Sequence, residues 1–359
     1  MKTNAIVPET TVGLDLGDRF SYFLFLDRDG EVVEHGRVAT SEVALTRKFG
    51  RLPPMRIAIE TGMHSRWVQK VLEAAEHEVI VANPRKVRLI GNNDTKDDRL
   101  DAERLARLAR VDPKLLSPVQ HRGARAHVDL TILRSRDILV AARTQMVNHV
   151  RGVLKAHGTR PKKCSTRCFE SRVEENVPKE LQPALFPVLE TLGTLNIKIR
   201  DYDRKIKDLA NNRYPETQLL TAVNGVGDLI GLSYVLTLEE PRRFKESRTV
   251  GAFLGLRPRQ RQSGSKDPEL RITKAGDRDL RRLLIQAANY ILGPFGKDCD
   301  LRRWGLKLTA RGGKNAKKRA KTAVARKLAV LLHRLWVTGE VYEPLRQASR
   351  QKNAGKQRA

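Results

Sequence analysis

Apolar residues come in three different rhythms along this chain, and each rhythm occupies its own stretch. In the first third they form short runs of five to eight, the length of strands. Thr11–Leu16 reads as a buried strand carrying Asp15 near its end, and Phe20–Asp27 as a second. The turn Asp27-Arg28-Asp29-Gly30 has the Asx and glycine chemistry of a hairpin, so Glu31–Val38 returns as a third strand. Ser41 caps a helix through Phe49, Arg56–Glu60 is a short strand ending in a carboxylate, Ser65–Ala75 is helical, and Glu78–Ala82 is a fifth strand. Pro84 is expected to start a helix, and Asp98 another that runs to Arg110. Three meandering strands followed by alternating helices and strands predict one mixed sheet, a hairpin joined by helical crossovers.

The second rhythm is a heptad. Val128, Ile132, Ser135, Leu139, Ala142, Met146, Val150 and Val153 fall at alternating four–three spacing with one stutter. Val188, Leu192, Leu195, Ile199, Tyr202, Ile206 and Leu209 repeat it more cleanly. Such seams make coiled coils, either within the chain as a helical hairpin or between protomers. The polar, basic segment Gly158–Arg172 between them is expected to be a mobile tip.

The third rhythm is that of a helical domain. Leu219–Asp228 reads as helix, tight Gly225-Val226-Gly227 turn and second helix, a helix-hairpin-helix whose glycines let backbone N–H groups approach a phosphate. A helix over Asp277–Leu292 and a packed one over Thr322–Val337 follow. Gly312–Lys321 and the end after Arg346 read as solvated basic arms. The domain reading is therefore residues 10–120, a helical linker 121–212, a C-terminal domain 213–340, and a basic, disordered tail 341–359.

Charge sharpens this division. The chain has 69 Lys and Arg against 41 Asp and Glu, a formal net charge of +28. Residues 1–120 hold 19 basic and 18 acidic side chains, so nearly all of the excess lies behind them. A neutral front and a strongly basic rear suit chemistry first and polyanion contact later. Aromatics make up only 5% of the residues, which argues against a base-stacking platform as the main device. Three cysteines, Cys164, Cys168 and Cys299, form neither a disulfide framework nor a paired zinc motif. No secretory leader and no membrane-length apolar run is evident, so a cytoplasmic protein is expected.

The acids of the front third have a pattern of their own. Asp98 and Asp101 lie one turn apart on one face of a helix, and two carboxylates that close favour a hard cation between them. If the fourth strand pairs with the first, Asp15 and Glu60 become neighbours at adjacent strand ends. Each acid alone also has a structural explanation. Asp15 could belong to a turn, Glu60 could cap a helix, and Asp98 could be an N-cap. In the rear, Ser263 sits in a glycine-containing loop among Arg257, Arg259, Arg261, Lys266, Arg271 and Lys274, cations suited to hold a phosphodiester. No histidine lies near Ser263 in sequence, so its activation must come from elsewhere. The same loop also reads as a flexible basic segment.

The segments Val12-Gly-Leu-Asp15, Ile57-Ala-Ile-Glu60-Thr-Gly62, Val81-Ala-Asn-Pro84 and Lys96-Asp-Asp98-Arg-Leu-Asp101-Ala102 resemble the insertion-sequence family 110 transposases. Ser263-Gly264 followed by Ile272-Thr273-Lys274-Ala275-Gly276-Asp277 resembles the serine region of the same family, and the likeness covers most of residues 10–340. The resemblance implies an N-terminal RuvC-like, ribonuclease H-type α/β domain, then a coiled-coil segment and a mainly α C-terminal domain. It implies Asp15, Glu60, Asp98 and Asp101 as ligands of Mg²⁺ or Mn²⁺, with Asp97 an extra adjacent acid. Ser263 is then the nucleophile, with Ser265 not excluded. Implied partners are donor and target double-stranded DNA, a structured guide (bridge) RNA, and further copies of the chain in a dimer or tetramer joined through the coiled coil. The residues alone also allow a RuvC-like nuclease with a water nucleophile, or a non-catalytic nucleic-acid binder. An actin-like ATPase, suggested by Gly13-Leu-Asp15-Leu-Gly17, lacks a second glycine-rich phosphate loop.

Overall fold

The computed structural model describes residues 10–87, 97–263, 268 and 270–346. The chain divides into two units, the first ending at His121 and the second beginning at Arg122. Among the described residues no helix is long and apolar enough to cross a membrane.

The first unit is built on a five-stranded sheet in the order β3-β2-β1-β4-β5, with β1 Thr11–Asp15, β2 Phe20–Leu26, β3 Val32–Ala39, β4 Arg56–Glu60 and β5 Glu78–Ala82. The three N-terminal strands are antiparallel, while β4 pairs with β1, and β5 with β4, in parallel. The hairpin turn forms because Asp27 Oδ1 accepts from the backbone N–H groups of Asp29, Gly30 and Glu31 at 2.8–2.9 Å, and Gly30 takes φ +90°. Helix α1 (Glu42–Phe49) is capped by Ser41, as its sequence predicts, and α2 (Ser65–Ala74) follows β4. Both cover one face, where Leu45, Phe49, Val68 and Leu72 meet Val12, Leu14, Phe23, Phe25, Ile57 and Ile59.

The opposite face is made of small residues. Successive strand side chains point to alternate faces, so Gly13, Ala58 and Ala82 turn away from α1 and α2. Helix α3 (Asp98–Val111) lies on them through Ala102, Leu105, Ala106 and Ala109, all fully buried. The approach is extremely close. A Cβ on Gly13 would stand 1.8 Å from the Ala102 carbonyl oxygen and 2.8 Å from the Ala106 nitrogen.

Three hydrogen bonds fix the direction of α3. Arg56, at the start of β4, donates to the Ala109 carbonyl (3.3 Å). Arg107 and Arg110 donate to the carbonyls of Gly30 and Arg28 in the hairpin turn, at 3.2 and 2.6 Å. The C-terminal end of α3 therefore sits where β1 and β4 begin, and the helix runs antiparallel to both. The helix expected at Pro84 begins as a turn over 84–86, and its continuation lies outside the described residues.

The second unit opens with α4 (Ala124–Ala156), which pairs antiparallel with α6 (Gln182–Asp208). Arg136 bonds Asp203 at 2.6 Å and Arg143 bonds Asn196 at 2.9 Å, a register in which residue numbers rise on one helix as they fall on the other. The buried seam differs from the predicted heptad. Ala126, Leu130, Leu133, Val147, Val150 and Leu154 are buried on α4, while Val128 is 62% exposed. Asp129 rotates the seam, because this buried carboxylate accepts from Arg213 (2.9 and 3.1 Å) and from the Tyr214 hydroxyl (2.7 Å). The expected mobile tip is packed instead: α5 (Phe169–Glu174) folds back and buries Phe169 and Val173 among Val150, Leu154 and Leu189. Phe169 was hidden among the basic residues of Gly158–Arg172, and Val173 follows directly after them.

Beyond this pair, α7 (Thr217–Thr221), α8 (Asp228–Leu238), α9 (Ser247–Phe253), α10 (Arg278–Leu292), α11 (Asp300–Ala310) and α12 (Ala316–Thr338) share one core. Parts of two basic segments expected to be loose are structured. Residues 316–321 are the first turns of α12, with Ala320 buried, and Asp300 N donates to the Pro344 carbonyl (2.7 Å), tying down the chain as far as Arg346. The rest of the tail, from 347, lies outside the described residues.

Gly13→Ala should force α3 off the sheet. Overpacking of this kind costs about 3 kcal/mol or more, to be read as a lower urea midpoint for the first unit's transition.

Candidate active site: an acidic sheet end and a serine hairpin

Leu14 of β1 is in register with Ile59 of β4, so the next residues, Asp15 and Glu60, stand side by side at the ends of two parallel strands. By the same period-two rule that turns Gly13 and Ala58 toward α3, Asp15 and Glu60 face α3 as well. That helix brings its own acids to the same end. Asp101 adjoins Ala102, the residue seated on Gly13, and Asp98 lies about 4.5 Å beyond Asp101 along the axis, away from the strand starts. Asp97 has separate work: its Oδ1 accepts from Arg99 N at 2.9 Å, which makes it the N-cap. The capping role considered for Asp98 thus belongs one residue earlier, and Asp98 is the first helical residue.

Asp15 and Glu60 are partly buried, Asp98 is exposed, and the Asp101 side chain is 20% exposed with Arg104 at 3.5 Å. Among the described residues no three His, Cys, Asp or Glu side chains lie within metal-holding reach of one point. What the four acids share is one face and one end of the sheet. Their donor set is carboxylate oxygen only, which fits a hard divalent cation and not a thiophilic one. At the same end, sequence reading missed a pair: His64 Nε2 lies 3.4 Å from Asp18 Oδ1, while Trp67 Nε1 donates to His64 Nδ1 at 3.2 Å. Asp18 and His64 sit in the loops that follow Asp15 and Glu60, a proximity only the β1–β4 pairing reveals.

In the second unit the serine loop grows from a short antiparallel ladder. Pro258 bridges Ile272, Arg259 N donates to Arg271 O (3.0 Å), and Thr273 N donates to Arg257 O (2.9 Å). Ser263 lies exposed beyond this base, with Arg257, Arg259 and Arg261 exposed beside it. Gly264, Ser265 and Lys266 lie outside the described residues.

The base is held by contacts that sequence reading did not find. Gly255 and Gly276 both have positive φ, and a Cβ on either would stand 2.1–2.3 Å from backbone atoms of Ala275 or Phe253. Arg281, only 8% exposed, reaches back from α10 to the carbonyls of Ala275 (2.6 Å), Leu254 (3.1 Å) and Asp277 (3.4 Å). Asp277 caps α10 by accepting from Asp279 N and Leu280 N, and its other oxygen faces Arg122 and Arg134 at 3.4 and 3.3 Å. Burial lowers the Arg122 pKa from its ordinary value, against the charge of Asp277. The Ile272–Asp277 motif is therefore a structural staple as well as the return strand of the loop. Lys274 stands in it at φ +56°.

The Gly225–Gly227 turn joins α7 to α8. Gly225 takes φ +87° and packs on α10, where a Cβ would meet Ile291, Tyr290 and Ala287 within 3.3 Å. Gly227 is exposed with open space around it and is the N-cap of α8. The helix before the turn has only five residues, shorter than its apolar sequence suggests.

Two family models match this chain. The DEDD transposase model of the IS110 type matches residues 12–158, and the model of the IS116/IS110/IS902 transposases matches residues 217–295. A probable family 20 transposase of Pseudomonas aeruginosa is 30% identical over 343 residues, 93% of this chain and 98% of the relative. The transposase for insertion sequence element IS1111A of Coxiella burnetii is 32% identical over 69% of this chain and 68% of its own length. The transposase for element IS1328 of Yersinia enterocolitica is 27% identical over 79% and 84%.

Arg281→Met should leave three buried carbonyls short of a donor, a loss of about 2 kcal/mol. Hydrogen exchange should then quicken at the ladder amides of Arg259, Thr273 and Lys274 before the rest of the second unit.

Proposed function

The chain belongs to the IS116/IS110/IS902 family of transposases, and from that premise we propose that it cuts and rejoins DNA strands by metal-assisted attack of a serine. The observation that carries this reading is the antiparallel course of α3 across β1 and β4, which gives Asp15, Glu60, Asp98 and Asp101 one face and one end. The four, whose donor set is carboxylate oxygen only, would hold Mg²⁺ or Mn²⁺. Such ions, when bound, neutralise charge on a phosphodiester undergoing in-line displacement.

The chain's own groups supply the rest. Ser263 Oγ bonds to phosphorus while the bond from phosphorus to the 3′ oxygen breaks. The serine proton ends on that 3′ oxygen, and the strand is left as a 5′-phosphoserine. The attack of another 3′ hydroxyl reverses the step and rejoins strands without hydrolysis. Arg257, Arg259, Arg261, Lys266 and Lys274 hold the phosphates, and the Gly225–Gly227 turn, read as a helix-hairpin-helix, adds backbone contact at the start of α8. Donor and target DNA are the substrates, a guide RNA selects them, and the α4–α6 pair joins protomers into a dimer or tetramer.

Incubation with cognate DNA, guide RNA and Mg²⁺ should yield a protein–DNA adduct that survives denaturation. Ser263→Ala should abolish it, and Asp101→Asn should lower its rate by at least a hundredfold, as loss of a key electrostatic group does. Cleavage undiminished in Ser263→Ala would assign the attack to water and overturn the serine reading.

A further inference from the structure

The second unit contains a cavity of about 820 Å³ between the base of the serine hairpin and the N-terminal half of α12. Leu256 and Ile272 form an apolar wall on the hairpin side. Arg271 and Lys274 border it from the hairpin, and Lys318, Arg319 and Arg326 from the helix. Residues 318 and 326 are eight apart, so they lie on one stripe of α12 and span about 12 Å along its axis. Among the described residues Arg271, Lys274, Lys318 and Arg326 have no carboxylate partner, whereas other arginines of this unit are paired: Arg122 and Arg134 with Asp277, Arg282 with Asp137, Arg303 with Asp298. Arg326 is also held in place. Its Cγ lies 2.9 Å from where a Cβ of Gly251 would be, so α9 leaves a notch that seats the aliphatic stem.

Cations that converge on one cavity repel each other, and an entering anion relieves that repulsion. The cavity has the size of a small-ligand site and cannot admit the full thickness of a duplex. Its apolar wall suits a sugar and base edge, which a free inorganic anion would leave uncovered. We propose that this cavity binds an unpaired nucleotide segment of a nucleic-acid strand, with phosphodiesters on Arg271, Lys274, Lys318 and Arg326 and the nucleoside against Leu256 and Ile272. The site uses α12, an element that the proposed chemistry does not employ, and binding there needs neither Ser263 as nucleophile nor a metal.

The test is equilibrium binding of the full chain, without divalent metal, to fluorescein-labelled 15-residue oligo-dT, oligo-U of equal length, and a hairpin duplex, by anisotropy over a potassium chloride series. Lys318→Gln with Arg326→Gln should weaken single-strand binding about tenfold or more. The slope of log K against log salt should fall by about 1.4, since each lost phosphate contact on a single strand accounts for about 0.7. The control Lys155→Gln with Lys179→Gln makes the same charge change on exposed residues outside the cavity and should stay near wild type. A larger loss for oligo-dT identifies the strand as DNA, and a larger loss for oligo-U as RNA; either supports the site. Wild-type binding by the cavity variant, equal loss in the control, or a loss confined to the duplex would overturn it. Circular dichroism of each variant separates lost binding from lost fold. A serine adduct that fails to form while this binding persists would count against the proposed chemistry alone.

Discussion

A helix backbone lies directly on a strand backbone where α3 crosses β1, and the N-terminal unit depends on that contact. Only a residue without a side chain allows it, because the space a Cβ on Gly13 needs is already taken by the Ala102 carbonyl. Alanines at 58, 102, 106 and 109 extend the same close approach along the helix. Interiors of this kind tolerate almost no added volume. The tight seat, together with the arginine bonds at the far end of α3, sets both the height and the direction of the helix. The acids inherit their common location from it.

A comparable device operates in the second unit, with backbone polarity in place of volume. The strands at the base of the serine hairpin are too short to be stable alone. Gly255 and Gly276 let them touch the end of α9, and the Arg281 guanidinium gathers carbonyls from three separate places. Asp277 then ties the start of α10 to Arg122 and Arg134. A loop carrying a serine among arginines needs such a base, since its own charges push it apart.

Much of this was legible in the sequence, and the failures share a cause. Strand boundaries, the Asp27 turn, the Ser41 cap and the α10 helix follow from local chemistry, because their determinants lie within a few residues of one another. The heptad reading of α4 went astray at Val128 because Asp129, a residue that should face water, is buried against Arg213 and Tyr214, which lie far along the chain. The segment 158–172 reads as basic and loose because Phe169 does not stand out without Val150 and Leu189 to receive it. Residues 316–321 read as a charged arm because a single buried alanine, Ala320, is a weak signal among lysines.

By itself the sequence determined the kinds of element, their order, and the residue types available for chemistry: carboxylates ahead of a basic, serine-bearing rear. These are properties of short windows, governed by side-chain period, capping and turn formation. The tertiary structure decided which of those residues share a place. The parallel pairing of β4 with β1 set Asp15 beside Glu60, and the antiparallel lie of α3 turned its acidic first turn toward them. The approach of α12 to the hairpin gathered five cations around one cavity. Each of these joins residues tens of positions apart through packing and hydrogen bonds that no local pattern encodes.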